Sequence, residues 1–155
     1  MKTLLLLSFF LTSLFSWSFT DYDYYQLTKE QRNNLDIIYM VGEEKDLGLT
    51  LGAISIVETR LDLATDTNRN HICGIMQLNS NYVDVPCEAI ESNIYLSAKL
   101  ARENFLFWYN GPAKRNWRKA LIMYNGGYKF NHHGYEYVKR IIQVYKVLKL
   151  HYKKL

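Results

Sequence analysis

Proline occurs at only two positions in this chain, Pro86 and Pro112, and that scarcity sets the strongest limit on its fold. Proline removes a backbone donor and clashes inside a helix, so long proline-free stretches with apolar residues every three or four positions favour helices. Thr28 and Gln31 have capping-box spacing, and the helix they open carries Leu35, Ile38 and Val41 before Gly48 offers a stop. A second helix, from about 50 to 61, sets Leu51, Ile54 and Val57 along one apolar stripe with Glu58 at its edge. A third spans roughly 92 to 108, with Ile94, Leu96, Leu100 and Phe107 as its core side, and Asn110-Gly111-Pro112 ends it. Residues 117–124 read as a short buried helix followed by the turn signal Asn125-Gly126-Gly127. A last helix, about 135 to 150, carries Val138, Ile141, Ile142, Tyr145 and Leu148. Extended structure is confined to 83–85 and the neighbourhood of Ile75, so a mainly α fold is expected.

At 155 residues, 48% hydrophobic and 22% charged, the chain suits one globular domain with a sizeable core. Residues 1–18 read apart from the rest. Lys2 carries the only charge there, 3–15 is almost entirely apolar, and Ser16-Trp17-Ser18 puts small residues at both cleavage-determining positions. The expectation is an export signal cut after Ser18, with 19–155 as the folded domain in the periplasm, cell envelope or extracellular space. An uncleaved membrane anchor is the alternative, although the apolar stretch is short of the roughly 20 residues that span a bilayer. Export would place Cys73 and Cys87 in an oxidising compartment, where a disulfide is favoured. Closing a loop of about fourteen residues would contribute on the order of 3 kcal/mol. His71 and Cys73 match no four-ligand zinc spacing, so no metal is expected.

The net charge of +4 hides an asymmetry: from Lys99 onward there are thirteen Lys and Arg, against Glu103 and Glu136 as the only acids. Such a field attracts polyanions, nucleic acid or an anionic cell envelope, and a solvated helix surface explains many of the same charges. Export and the lack of any nucleic-acid motif favour the envelope.

Glu58 is the candidate catalytic residue. A carboxylate on the apolar edge of Ile54-Ser55-Ile56-Val57-Glu58 loses hydration, which disfavours its charged form and raises its pKa, as a general acid requires. A helix-surface glutamate or a buried ion-pair partner would fit the same pattern.

Further segments stand in a fixed order around it. Glu58-Thr59-Arg60-Leu61-Asp62 is followed sixteen residues on by Gly74-Ile75-Met76-Gln77-Leu78, then by Asn93-Ile94 with Ala98 and Leu100. Ala120-Leu121-Ile122-Met123-Tyr124-Asn125-Gly126-Gly127 and Tyr137-Val138 complete the set. Over about 49 to 141 this resembles the lytic transglycosylase family with the lysozyme-like fold, the soluble lytic transglycosylase or goose-lysozyme-like domain. The matched patterns are Glu-Ser-x-Phe-Asp/Asn, Gly-Leu-Met-Gln, Ala-Leu-x-x-Tyr-Asn-x-Gly and a closing Tyr-Val.

The resemblance implies a lysozyme-like, α-dominated α+β single domain acting on the glycan strands of peptidoglycan as a monomer. Glu58 would protonate the oxygen between N-acetylmuramic acid and N-acetylglucosamine, then accept the proton of the muramyl C6 hydroxyl as it attacks C1. The product is a 1,6-anhydro end; no water, metal or cofactor takes part, and the substrate's acetamido group meets the positive charge at C1. Thr59, Met76, Gln77, Tyr124, Asn125 and Tyr137 would line the substrate cleft, with the Tyr137 hydroxyl orienting Glu58. A core role for Met76 and a structural role for Tyr137 remain open on the residues alone.

A muramidase of the same fold, which uses water, is one alternative; a hydrolase with two carboxylates would need a partner for Glu58 about 5 Å away for retention or about 6.5–9.5 Å for inversion. Asp62 and Asp66 are the local candidates, but Asp62 falls at the family's Asp/Asn position past the helix, where turn formation explains it. A non-catalytic wall-binding or assembly protein is the other alternative, carried by the basic C-terminal half. The chain departs from the family at Thr59 for Ser, at Leu63 for Pro and at His71-Ile72-Cys73 for Gly-Ala, and residues 65–70 offer no match for a loop serine. Asn79 after Leu78 resembles the branch associated with conjugation and secretion, which would make a cell-envelope-spanning machine a partner. His132-His133 fits a loop, and Trp108, Tyr109 and Trp117 suit either sugar stacking or the core.

Overall fold

The computed structural model describes residues 18–62 and 71–152. Residues 1–17, most of the expected export signal, lie outside them, as do Leu63, Asp66 and the rest of 63–70. In chain order come α1 (Asp21–Tyr25), α2 (Lys29–Glu43), α3 (Gly48–Thr59), β1 (Ile72–Cys73), β2 (Leu78–Asn79), α4 (Cys87–Ser92), α5 (Ile94–Asn110), α6 (Trp117–Gly126) and α7 (His132–Tyr152). The fold is mainly helical, as the proline-free periodicity requires. Its two short strands pair antiparallel, Ile72 with Asn79 and Cys73 with Leu78.

The capping box reads through. Thr28 Oγ1 accepts from the Gln31 amide at 3.1 Å while the Gln31 side chain accepts from the Thr28 amide at 2.9 Å, so α2 starts where its sequence says. Its end differs: α2 stops at Glu43, and Gly48, expected as the stop, opens α3 instead. The reason is a tight corner. A Cβ on Gly42 would lie 2.7 Å from the Gly48 Cα, so the two helices meet backbone to backbone where only glycine fits.

Helix α3 occupies the centre, packed against α2, α5 and α7. It is buried almost all round from Gly48 to Ile56, in contrast to the one-sided stripe expected, and Val57 is only half-buried. Leu51, Ala53, Ile54 and Ile56 are buried to within 1% of complete, and each large side chain so placed contributes roughly 1.5–3 kcal/mol.

Helix α5 also departs from expectation. Its core face is Ser97, Ala98, Ala101, Arg102 and Phe105, whereas Ile94 and Leu100 are partly buried and Phe107 is 61% exposed. Small residues let α5 approach α2 closely, and the bulky apolar residues flank that seam. The Arg102 guanidinium donates to the Val41 carbonyl at 2.9 Å and pairs with Glu44 and Glu103, so this cation serves the interior and not the basic surface. Extended structure forms around Ile75 as a hairpin, while 83–85 adopts bends. His132 and His133, expected in a loop, begin α7. Cys73 and Cys87 are disulfide-bonded with Cα atoms 5.3 Å apart, which ties the hairpin to α4.

Candidate active site

Glu58 lies in the last turn of α3. The residue as a whole is half-buried, yet its carboxyl is surrounded by protein, and that burial lifts its pKa from 4.5 to about 7. The Tyr137 hydroxyl on α7 donates to Glu58 Oε1 at 2.7 Å and opposes part of the rise by stabilising the charged form. Position adds to the effect of burial, because the last turn of a helix carries its negative dipole end.

The chain reverses immediately after Glu58. Arg60 and Leu61 both take left-handed backbone conformations, φ 55° and 64°, an unfavourable arrangement for two consecutive side-chain-bearing residues. Two amides on α2 hold the turn: Gln31 Nε2 donates to the Arg60 carbonyl at 2.9 Å, and Asn34 Nδ2 to the Leu61 carbonyl at 3.2 Å. Asn34 is 4% exposed, a polar residue buried beside the apolar stripe of α2. Sequence reading overlooked this brace; its signal was an Asn adjoining a run of Leu35, Ile38 and Val41 with no turn to explain it. Asp62 follows in the turn, its amide donating to the Thr59 carbonyl at 3.1 Å, with its side chain exposed. That is the turn role expected of it, while Asp66 lies outside the described residues.

The hairpin forms the next wall through its own carbonyls. Thr59 Oγ1 donates to the Ile75 carbonyl at 3.0 Å, and the Tyr124 hydroxyl on α6 donates to the Met76 carbonyl at 3.0 Å. Gln77, at φ 50°, turns Nε2 back onto the Gly74 carbonyl at 3.0 Å. Burial pushes the Tyr124 and Tyr137 hydroxyls well above the usual tyrosine range, and the nearby Glu58 charge adds to both, so they stay protonated donors.

The candidate residues therefore separate. Tyr137 reaches Glu58 directly; Tyr124 and Gln77 are half-buried beside the hairpin, and Asn125 is exposed at the end of α6. Thr59 is 7% exposed with its hydroxyl held inside, and the Met76 side chain is fully buried, so these two brace the wall from behind. Among the aromatics, Trp117 donates to Thr50 Oγ1 at 3.2 Å and joins the interior, and Tyr109 stacks on Phe105. Trp108 is half-buried, edge to face with Phe107 and Tyr128 at 5.1 and 5.3 Å. Among the described residues no three His, Cys, Asp or Glu side chains converge as metal ligands, and no helix is long and apolar enough to cross a membrane.

Compared with known proteins, the chain matches no family model, no curated protein and no solved structure.

Proposed function

We propose that the protein is an exported peptidoglycan lytic transglycosylase of lysozyme-like fold, with Glu58 as its single acid and base. The observation that carries this reading is the Glu58 carboxyl, at a pKa of about 7 and held by the Tyr137 hydroxyl 2.7 Å away. Near neutral pH such a group is populated both with and without its proton, so it can give one to the glycosidic oxygen and then take one from the C6 hydroxyl. The fixed hydrogen bond leaves Oε2 as the natural proton-carrying oxygen. The ordered motifs from Glu58 to Tyr137 add the substrate class, the glycan strand between N-acetylmuramic acid and N-acetylglucosamine.

In this reading Gln77, Tyr124 and Asn125 face the sugar, and the monomer works outside the cytoplasm without metal or cofactor. Replacing Glu58 by Gln keeps its size and removes the transferable proton. The E58Q variant is expected to clear cell walls at least about a hundredfold more slowly than the parent, measured by turbidity of a purified wall suspension. Equal clearing by the two would remove the enzymatic role from Glu58.

A further inference from the structure

Helices α6 and α7 form a groove of about 480 Å³. Its floor is aliphatic, built from Ile122, Val138 and Ile142, and its wall carries Phe130 and Tyr135, which are 45% and 55% exposed. Arg118 and Lys119 stand along the α6 rim, and Lys139 along the α7 rim. The groove turns away from Glu58. Successive helical residues are about 100° apart, so Tyr124 lies about 200° round α6 from Ile122, and Tyr137 about 200° round α7 from Tyr135.

Phe130 and Tyr135 are the exposed apolar side chains here, standing over Ile122 and Val138, which are buried. Charge narrows the choice. Glu136 is the one acid after Glu103 in the whole sequence, and its carboxylate is engaged by Lys139 at 2.5 Å, so the rim keeps the positive charge of Arg118 and Lys119. Shape narrows it further. A flat lipid surface meets convex apolar residues and cannot fill a concave floor, and a charged polysaccharide brings no apolar ridge. A helix with an apolar stripe flanked by carboxylates supplies both features at once.

We infer that the α6–α7 groove is a docking site for an acidic amphipathic helix of a partner protein. The apolar stripe lies on Phe130, Tyr135 and Ile142, and Arg118 and Lys119 meet the carboxylates. This site stands independently of the chemistry proposed for Glu58.

The test uses the whole protein and two fluorescent helical peptides sharing one Leu/Phe stripe, flanked by Glu in the first and by Lys in the second. The Glu peptide is expected to bind with a Kd on the order of 10–100 μM by anisotropy, and the Lys peptide at least about tenfold more weakly. Binding should weaken as salt shortens the screening length. R118E/K119E and F130S/Y135S, both surface changes checked for folding by circular dichroism, should each reduce Glu-peptide affinity about tenfold or more. Equal binding of the two peptides, unchanged binding by either double variant, or no Glu-peptide binding at about 1 mM would overturn the proposal. Binding to phosphatidylglycerol vesicles with indifference to the Glu peptide would overturn it in favour of a membrane surface.

Discussion

Between pH 4.5 and about 7 the folded protein keeps a proton on Glu58 that the unfolded chain releases. A carboxyl whose pKa is raised on folding lends its full stability below the unfolded value and loses it as pH rises through the folded one. The difference amounts to about 3 kcal/mol once both values are passed. E58Q removes that loss, so its advantage over the parent in urea unfolding should be absent near pH 4, grow through pH 4.5–7 and level off above. An advantage independent of pH would contradict the assigned burial. Tyr137→Phe acts in the opposite sense to burial relief: without the 2.7 Å donor the charged carboxylate loses support, and the Glu58 pKa should move above 7. The basic limb of the rate profile should move up with it, at about tenfold lower turnover from looser positioning, and ¹³C NMR of labelled glutamate reads the shift directly. At this scale the apolar edge around Glu58 was legible from spacing. Its contact with Tyr137, 79 residues away, came only through the ordered motifs, because local periodicity carries no information on distant pairs. The inward turn of Thr59 was hidden, and that of Met76 stood only as an open alternative, because cleft and core share the same residue types when a wall is one residue thick.

Elements hold the site by two devices. The α2–α3 corner depends on backbone contact at Gly42, so Gly42→Ala should destabilise the protein by about 2 kcal/mol or more, even though alanine is the better helix former. A gain in melting temperature would mean that the corner is looser than described. The hairpin is held by Thr59, Tyr124 and the Cys73–Cys87 bond, and a C73S/C87S double variant should lose about 3 kcal/mol in chemical unfolding. Helix existence was readable from the sequence, and the capping box fixed one boundary to the residue. The buried face of α5 was not, since expectation followed the largest apolar side chains while close packing selected Ala98 and Ala101. Gly48 misled for a related reason: a glycine that ends a helix and one that admits a neighbouring backbone look alike in a sequence.

Taken as one molecule, the protein sets its acid on the innermost helix and makes its basic surface from the outer ones, α6 and α7. The central α3 is held by α2, α5 and α7, and Glu58 stands in its last turn, where the proposed reading brings its carboxyl to the glycan strand. In the proposed reaction a carboxyl near neutrality, partnered by a tyrosine, gives and then takes one proton, and water is the competitor it must exclude. The most direct test digests purified peptidoglycan with the protein and weighs the released muropeptides. Fragments ending in 1,6-anhydro-muramyl residues, one water lighter than hydrolytic products, are predicted. Fragments carrying the added water, or none beyond those made by E58Q, would contradict the proposed reaction.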